Sequence, residues 1–318
     1  MNRKPKVAVI VSNYNGATNL YKGKSILCRV FTSLKKTAYT NYNVILADDA
    51  STDNSVEYTK GTFPNVKIIT NRSNGGYAKN NNKGIRYSLT SLKADYVLLL
   101  NNDIIIKDPQ WLDKLVSAAE ERKGELGIEG CRFEYPNGIT QYTVMRIDGD
   151  KNTKLKASQY ADEVYVKEVI FACVLLPSNV IKEVGLLDEN FYMGREDGDY
   201  CFRILKNGFK ILYNGKICLT HLGSHSTHNA VQKEVRDKMF YVGLRNAAYY
   251  VYKNCNVIDW PAELLWIICG AVFTVEDKNH IKNISNFRIK KYPIWRFKAS
   301  IKAVFEGYKI FKLYKIHR

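Results

Sequence analysis

Three short polar clusters interrupt apolar runs in the first third of the chain, and their side chains could bind a metal ion and phosphate groups. The clearest is Asn101-Asn102-Asp103, which lies between the apolar runs 96–100 and 104–106. One carboxylate with neighbouring amide oxygens suits a hard divalent cation that also holds phosphates. Taken alone, this cluster is more typical of a turn after a strand, because Asn and Asp dominate turns.

The apolar runs predict the elements that would position these side chains. We predict strands at about 7–11, 43–47, 66–70 and 95–100. We also predict a helix at about 25–36, a second helix that ends near residue 87, and a third at 109–122. Strands that alternate with helices at this spacing are typical of βαβ units and a parallel sheet. The predicted fold class is therefore α/β.

Polar residues end three of the predicted strands: Ser12 to Asn15 after the first, Asp48 with Asp49 after the second, and Asn101 to Asp103 after the fourth. In a parallel sheet these carboxyl ends share one edge, where the ligands of open α/β sheets bind. We therefore expect a nucleotide with its metal there. The chain has no G-x-G-x-x-G after the first strand and no G-x-x-x-x-G-K-[ST], so it predicts neither a dinucleotide fold nor a P-loop.

Charge and cysteine usage narrow the class of protein. The formal net charge is +17 at pH 7, and residues 278–318 contain twelve Lys or Arg against one acidic residue. Such a basic tail can meet nucleic acid, an anionic membrane or a phosphorylated substrate. Seven cysteines without a C-x-x-C argue against a disulfide framework or a zinc site and for a reducing compartment. A strand-like run at residues 7–11 leaves no room for a signal peptide, so we expect a cytoplasmic protein.

The chain contains, in order, the segments VAVIVSNYNG, ILADDASTDNS, NRSNGGYAKNNNKGI and YVLLLNNDI. These segments resemble the nucleotide-binding half of family-two inverting glycosyltransferases with the GT-A fold, and the L-N-N-D motif is similar to the rhamnosyltransferase-like branch. The resemblance implies a Rossmann-like, mostly parallel sheet flanked by helices. It implies donor-binding roles for Ser12, Asn15, Asp48, Asp49, Asn74, Gly76, Asn81, Asn82 and Asn102. Asp49 ranks before Asp48 as the contact to the nucleoside base.

The same resemblance implies a divalent cation, Mn²⁺ or Mg²⁺, held by Asp103. Asn101 stands where the family usually has the first acid of D-x-D, so this site carries less negative charge. His221 matches the histidine that completes metal or diphosphate binding in the family, and His225 is the second candidate. A neutral imidazole is a common metal ligand, although clustered histidines are also typical of surface loops.

An acid pair downstream could supply a base. The segment 171–192 precedes Arg195-Glu-Asp-Gly-Asp-Tyr-Cys-Phe-Arg203, which is similar to the family's E-D-x-D-x-x-x-R. Acids at the start of a helix are also stabilised by its dipole and need no catalytic role. Displacement with inversion requires a carboxylate that accepts the proton of the acceptor hydroxyl. By resemblance, Asp197 is this general base and Glu196 is its neighbour in the acceptor site.

The resemblance covers about residues 5–250. It implies a catalytic domain over 1–250, with a nucleotide-binding half at about 1–125 and an acceptor half at about 126–250. We expect residues 251–318 to form a basic helical extension. Its last segment places Phe297, Ile301, Val304, Phe305 and Tyr308 on one helical face and Lys298, Lys302 and Lys309 on another. This pattern is typical of a helix lying on an anionic membrane; a helix packed on the domain with solvated lysines is the alternative.

We predict an inverting, metal-dependent glycosyltransferase that moves a hexosyl or deoxyhexosyl group from a nucleotide-diphosphate sugar to a glycan or lipid-linked glycan hydroxyl. We expect it to act in polysaccharide biosynthesis, peripherally on the inner face of the cell membrane. One alternative is an inactive GT-A-like binding module at the membrane surface. Another is a nucleic-acid-binding protein, but the charge lies in the tail and no such motif is present, so we expect no nucleic-acid partner.

Overall fold

The computed structural model describes residues 3–141, 144–147, 160–223, 233–277, 287–291 and 294–316. The chain divides into two compact units, Met1–Glu189 with Glu196–Ala230, and Asn190–Arg195 with Val231–Arg318. We expected a division near residue 250. The compact units divide at residue 230, because the helix Lys233–Asn254 packs on the C-terminal helices, and the expected end of the catalytic domain near residue 250 stays a prediction. The short segment Asn190–Arg195 belongs to the second unit, which no sequence pattern indicated.

The first part of the chain alternates strands and helices as predicted. Its elements are β1 Val7–Asn13, β2 Leu20–Tyr21, β3 Lys24–Ser25, α1 Ile26–Leu34, β4 Tyr42–Asp48, α2 Ser55–Thr62, β5 Lys67–Thr70, α3 Gly76–Thr90, β6 Tyr96–Asn101, β7 Ile104–Ile105, α4 Trp111–Glu121 and β8 Leu126–Glu134. The four predicted strands and three predicted helices are all present. Helix α2 was not predicted, because its eight residues carry no clear apolar stripe.

The rest of the first unit adds β9 Val144–Ile147, β10 Glu163–Val169, β11 Cys173–Pro177, α5 Ser178–Val184, α6 Glu196–Lys206 and β12 Lys210–His221. The apolar runs 210–213 and 217–219 belong to one strand, β12, whose register against β8 shifts between Asn214 and Cys218. Gly215 lies within this irregular stretch, where a Cβ atom would collide with the carbonyl oxygen of Tyr160. The glycine and its polar neighbours interrupt the apolar pattern without ending the strand.

The main sheet has the strand order β5-β4-β1-β6-β11-β8-β12-β10-β9, with β7 paired to β12. Strands β5, β4, β1 and β6 are parallel, whereas β11 runs antiparallel between β6 and β8. Residues of β1 alternate between two apolar layers, with Val7, Val9 and Val11 in one and Ala8 and Ile10 in the other. A strand buried on both faces explains the uninterrupted apolar runs of the sequence.

The second unit contains α7 Lys233–Asn254, a 3₁₀ turn Val257–Asp259, α8 Trp260–Val272, β13 Phe273–Asp277, β14 Phe287–Lys291 and α9 Ile294–Ile316. Phe191, Ala248, Tyr249, Tyr252 and Phe311 form its buried core. Gly307 lets α9 approach α7 closely, since a Cβ atom there would lie 2.8 Å from the backbone nitrogen of Tyr249. Among the described residues, no helix combines the length and the apolar character needed to cross a membrane.

Candidate active site

The carboxyl ends of β1, β4 and β6 meet at one edge of the sheet, which we call the rim. Ser12 lies in register with Asn101 of β6 and with Ala47 of β4. Asn102 Nδ2 donates to Asn13 Oδ1 at 2.7 Å, and Asn13 Nδ2 donates to Asp48 Oδ2 at 2.8 Å. The three polar clusters that the sequence placed after separate strands are therefore linked by hydrogen bonds.

A glycine allows this close approach. A Cβ atom at Gly16 would lie 2.8 Å from Asn102 Nδ2 and still closer to Asn13 Oδ1. Any larger residue would therefore push apart the loops that follow β1 and β6. The rim depends on the absence of a side chain at this position.

Asp48 and Asp49 are buried, and the protein itself supplies donors to both. Asp48 accepts hydrogen bonds from the backbone nitrogen and the hydroxyl of Ser51 at 2.9 and 2.6 Å, in addition to the one from Asn13. Asp49 accepts from Asn71 Nδ2 at 2.6 Å and from the backbone nitrogens of Gly75 and Gly76 at 2.9 and 2.8 Å. Because α3 begins at Gly76, Asp49 binds otherwise unpaired N–H groups at the start of this helix.

Other residues assigned to donor binding have varied surroundings. Asn74 is exposed beside the start of α3, and Asn81 Nδ2 donates to the Tyr77 carbonyl at 2.9 Å. Asn82 is fully buried, and its amide bonds the backbone nitrogen and carbonyl of Leu187 and the carboxylate of Glu189. The structure therefore uses Asn82 to anchor the segment 187–189, and we leave it out of the donor-binding set proposed below.

The loop after β4 is held by Asn15 and Asp53. The backbone nitrogen of Thr52 donates to Asn15 Oδ1 at 2.8 Å, and those of Ala17 and Thr18 donate to Asp53 Oδ2 at 3.1 and 2.9 Å. Burial would raise the pKa of Asp53, but hydrogen bonds from Ser55 and Thr18 outweigh it and hold the pKa below its usual value. Asp53 is thus an ionised part of the rim.

Asp103 and His221 come together although they are far apart in sequence. Strand β7 pairs with the end of β12, with Ile104 opposite His221, and the backbone nitrogen of Leu222 donates to the Asp103 carbonyl at 3.0 Å. His221 Nε2 lies 3.4 Å from Asp103 Oδ1, and both side chains are largely buried. Asp103 and His221, which we predicted to hold one cation, therefore lie next to each other. His225, the second candidate, lies outside the described residues.

Gln141 sets the orientation of the His221 ring. Gln141 Nε2 donates to the carbonyl oxygen of His221 at 2.6 Å, so its Oε1 is the atom that faces His221 Nδ1 at 2.9 Å. An oxygen at this position accepts, so Nδ1 carries the hydrogen. In the neutral ring, Nε2 then presents a lone pair towards the Asp103 carboxylate. Two acceptor atoms that face each other repel, so a proton or a cation between them is favoured.

This donor set fits a divalent cation. A carboxylate and a neutral imidazole are ligands that Mn²⁺ accepts, and Mg²⁺ is bound through one or two carboxylates together with substrate phosphates and water. The described residues contain no group of three or more His, Cys, Asp or Glu arranged around a common centre. Asp103 and His221 could supply two ligands of such an ion. Asn101 is partly buried beside it, with its backbone nitrogen donating to the Ala172 carbonyl at 2.9 Å.

The acid pair begins α6, as predicted. Glu196 is buried, Asp197 is half-buried, and Asp197 Oδ1 accepts from the backbone nitrogen of Gly198 at 2.8 Å. Tyr77, at the start of α3, is partly buried and donates to the Phe171 carbonyl at 2.5 Å. Burial raises the pKa of Tyr77 well above its usual value, and the nearby carboxylates of Glu196 and Asp197 raise it further. The acid pair thus lies beside the helix that Asp49 caps.

An ion pair lies within α6, between residues four positions apart. Arg203 Nε donates to Asp199 Oδ2 at 3.0 Å, and its terminal nitrogens donate to the carbonyls of Val184 and Leu186. This arginine therefore fixes the helix against the segment that follows α5. The pair stabilises the position of α6.

Sequence reasoning missed several residues that build this site: Asn13, Ser51, Asp53, Asn71, Tyr77 and Gln141. Asn13 ends β1, Ser51 and Asp53 follow β4, and Asn71 follows β5, so the same rule that selected their neighbours could have given these four residues a role. Gln141 lies 80 residues from His221 in a stretch without a recognisable motif. Nothing local to that stretch indicates its partner.

The fold and the site together define the class of protein. The sequence profile described as Glycosyl transferase family 2 matches residues 8–172. This match covers just over half of the chain, which therefore belongs to glycosyl transferase family 2. The predicted family is confirmed.

Curated relatives carry names from glycan biosynthesis. The O-antigen biosynthesis protein RfbC of Myxococcus xanthus is 25% identical over 240 residues, which are 70% of this chain and 18% of that protein. The N-acetylglucosaminyl-diphospho-decaprenol L-rhamnosyltransferase of Mycobacterium tuberculosis is 23% identical over 278 residues, which are 77% of this chain and 85% of that protein. The chain thus spans less than a fifth of the first relative and most of the second.

Solved structures share the fold. A mannosyltransferase, PcManGT from Pyrobaculum calidifontis in complex with GDP-Man and Mn²⁺, superposes with a TM-score of 0.55 at 13% identity and covers 95% of this chain and 74% of that one. Residues 1–349 of S. aureus TarS superpose with a TM-score of 0.52 at 14% identity and cover 98% of this chain and 92% of that one. The predicted α/β fold of GT-A type is confirmed.

Proposed function

We propose that this chain is an inverting, metal-dependent glycosyltransferase that moves a sugar from a nucleotide-diphosphate sugar to a hydroxyl of a glycan or lipid-linked glycan. The observation that carries this proposal is the pair of Asp103 and His221, whose facing atoms lie 3.4 Å apart at the rim. Gln141 fixes the histidine tautomer so that Nε2 is available to a cation. A carboxylate and an imidazole held in this way suit a metal that also binds a diphosphate.

The donor would lie along the rim. We assign its nucleoside and diphosphate contacts to Ser12, Asn15, Asp48, Asp49, Asn74, Gly76, Asn81 and Asn102. We still rank Asp49 before Asp48 as the contact to the nucleoside base. Asp49 also holds the start of α3 through its hydrogen bonds. Asp103 and His221 would hold Mn²⁺ or Mg²⁺, with Asn101 as a weaker helper. Once bound, the cation supplies Lewis-acid neutralisation of the departing nucleoside diphosphate.

Asp197 is the proposed general base. Its carboxylate would accept the proton of the acceptor hydroxyl while the hydroxyl oxygen bonds to the anomeric carbon and the bond to the diphosphate breaks. The dipole of α6 stabilises the charged form of a carboxylate at this position. Glu196 would contribute to the acceptor site next to it. Because the displacement is direct, no covalent intermediate on the protein is needed.

The names of relatives support a sugar donor and a lipid-linked acceptor. One solved structure of this fold contains GDP-Man and Mn²⁺, and the mycobacterial relative is named for L-rhamnosyl transfer to a diphospho-decaprenol-linked sugar. We extend the proposal to the rhamnosyltransferase-like branch on this ground. A catalytically inactive binding module is the competing function, and turnover of a donor distinguishes it from an enzyme.

The second unit supports the proposed anionic membrane surface. Residues on one stripe of α9 recur every three to four positions and are exposed: Ile294, Phe297, Ile301, Phe305 and Tyr308. Lys298, Lys302 and Lys309 lie beside this stripe on the helical wheel and are exposed. The opposite face packs inward through residues such as Ala303, Gly307 and Phe311. Val304, which we expected on the outward face, instead packs against the core of this unit.

A calorimetric panel tests the donor site. We expect one of UDP, GDP, dTDP or CDP to bind in the presence of Mn²⁺ or Mg²⁺ and to bind much more weakly with a chelator. Asp103→Ala should abolish the metal-dependent part. Asp197→Asn should bind the nucleotide normally and lose hydrolysis of the matching nucleotide sugar. Parental hydrolysis by Asp197→Asn would show that the base assignment is wrong, and binding without any turnover by the parent protein would favour the inactive module.

Vesicle sedimentation tests the membrane surface. Phe305 is 65% exposed on α9 and Trp266 is 77% exposed on α8. Replacing both with Ser should release the protein from vesicles that contain phosphatidylglycerol, whereas Leu20→Ser, at an exposed site of the first unit, should not. Point changes are preferable to deletion of the tail, because deletion would remove Phe311 from a buried core. A change in oligomeric state with unchanged sedimentation would indicate a second copy of the chain as the partner.

A further inference from the structure

The segment that leads into the acid pair belongs to the second unit. Asn190–Arg195 groups with the C-terminal helices, and the next residue, Glu196, begins α6. Gly194 and Arg195 both have positive φ angles, +86° and +74°. Met193, Gly194 and Arg195 are exposed. An exposed turn with two successive left-handed residues, one of them not glycine, needs an external restraint to keep one conformation.

Asn246 of α7 supplies such a restraint. It is fully buried, with 0% exposure, and its Nδ2 donates to the carbonyls of Met193 at 3.0 Å and Gly194 at 2.9 Å. Arg245 Nε and Nη2 donate to Asn246 Oδ1 at 3.2 and 2.7 Å, which fixes which end of the amide faces the turn. Both amide hydrogens are therefore used on two consecutive carbonyls.

The start of the same segment is anchored separately. Arg245 Nη2 also donates to the Asn190 carbonyl at 3.4 Å. Phe191 is buried against the ring of Tyr249, with centroids 4.8 Å apart, and Lys253 Nζ lies 5.5 Å from the Phe191 centroid. One helix, α7, thus holds both ends of a six-residue segment whose last residue is bonded directly to Glu196.

We propose that Asn246 is a positioning residue for the general base: it fixes the turn at residues 193–194 and so sets where the first turn of α6 presents Asp197. This inference rests on the proposed role of Asp197. A base must lie within hydrogen-bond reach of the proton it accepts, and a displacement of about 1 Å in such a group costs up to roughly 100-fold in rate. On this proposal, Asn246 of α7 contributes to the rate of transfer.

The experiment compares Asn246→Asp with three other variants in the full chain. Aspartate keeps the size of the side chain but has no N–H to donate to the two carbonyls. We expect kcat for hydrolysis of the nucleotide sugar chosen by the calorimetric panel to fall roughly 10- to 100-fold. The calorimetric Kd for the nucleoside diphosphate with Mn²⁺ should stay unchanged, because the donor residues lie on other elements.

Phe311→Leu is the matched control. Phe311 lies in the same buried core but the contacts described above do not connect it to the turn. This variant should lower Tm and leave kcat within about two-fold of the parent. An equal loss of kcat in Phe311→Leu would mean that general destabilisation explains the effect, and the proposal would be overturned.

Asp197→Asn separates this inference from the proposed function. If Asp197→Asn loses hydrolysis while Asn246→Asp keeps the parental kcat, the base assignment stands and the positioning role is wrong. If Asp197→Asn keeps the parental rate, the assignment of the base itself fails. Arg245→Gln, which loosens the amide of Asn246 without removing it, should give a smaller loss of kcat than Asn246→Asp.

Discussion

Asp49 and Asp103 lie at the same rim and are almost equally buried, at 5% and 6% exposure, but their partners differ. Asp49 accepts three hydrogen bonds from the protein, two of them from the backbone at the start of α3. Asp103 instead faces Nε2 of His221, whose Nδ1 lies 2.9 Å from Gln141 Oε1. A buried carboxylate that the protein supplies with donors helps to hold the framework, whereas one that faces an imidazole nitrogen suits the proposed cation.

Glu129 shows a third way to bury a carboxyl group. Asn214 Nδ2 donates to its Oε1 at 2.8 Å, and its Oε2 has no hydrogen-bond partner among the described residues. Burial raises the pKa of Glu129 to about 8, although the hydrogen bond from Asn214 opposes this shift. Glu129 therefore keeps its proton at neutral pH. Donors, the proposed cation and a proton are three different means of stabilising buried carboxyl groups in one sheet.

The largest effect should come from exchanging oxygen for nitrogen at the two rim aspartates. Asp103→Asn removes the charge that a cation needs, so Mn²⁺-dependent nucleotide binding should weaken by about 100-fold or more, with little change in Tm. Asp49→Asn places an N–H against the donors of Gly75 or Gly76, so the free energy of unfolding should fall by about 1–3 kcal/mol. Calorimetry and thermal unfolding of both variants measure the two effects. The comparison fails if Asp49→Asn loses metal dependence and keeps its stability.

Gln141→Leu should have the next largest effect. It removes the oxygen that fixes the hydrogen on His221 Nδ1, and losing a partner of this kind typically costs about 10- to 100-fold in metal affinity. Titration of the protein and nucleotide with Mn²⁺, followed by electron paramagnetic resonance, measures the affinity without activity. Gln141→Glu restores an acceptor and should recover part of the loss. Equal Mn²⁺ affinity in the parent and in Gln141→Leu would contradict the role of the tautomer.

Gly16→Ala tests whether the linked strand ends hold the metal residue in place. The added methyl group would displace Asn13 and Asn102, so the free energy of unfolding should fall by about 1–3 kcal/mol and nucleotide binding should weaken. Gly61→Ala is the matched control, since it lies in α2 with no atom within 4 Å of the added Cβ and should stabilise the protein by up to about 1 kcal/mol. Urea unfolding of the two variants should show shifts of opposite sign.

The contrast between local and distant contacts explains what the sequence could predict. The rim followed from polar residues at strand ends, because parallel βαβ units bring such ends to one edge whatever the details of packing. The pair of Asp103 and His221 followed only from family resemblance, since β7 has two residues and no pattern indicates its pairing with β12. The resemblance assigned Asn82 to donor binding, but its side-chain amide donates to the carbonyl of Leu187, more than a hundred residues away. Burial and partner choice at such distances depend on the folded topology and not on the neighbouring sequence.

The last effect concerns Glu129 and depends on pH. The pKa of this group is about 8 in the folded protein, against 4.5 for an ordinary glutamate, so between these values the folded state binds a proton that the unfolded state lacks. The free energy of unfolding should therefore fall as pH rises from about 5 to 8, by at most about 1.4 kcal/mol per pH unit for one proton.

Glu129→Gln keeps an oxygen for Asn214 and removes the ionisation, so its advantage over the parent should grow from pH 5 to pH 8 and level off above that. Glu125→Gln is the control, because the pKa of Glu125 is shifted in the opposite direction: a hydrogen bond from Lys210 lowers it. The contribution of Glu125 to the free energy of unfolding is therefore lost only in acid and should not vary between pH 5 and 8. Urea unfolding at pH 5, 6.5 and 8 measures both. A difference between Glu129→Gln and the parent that is constant over this range would mean that Glu129 is already charged in the fold, and that burial without donors does not keep this carboxyl group protonated.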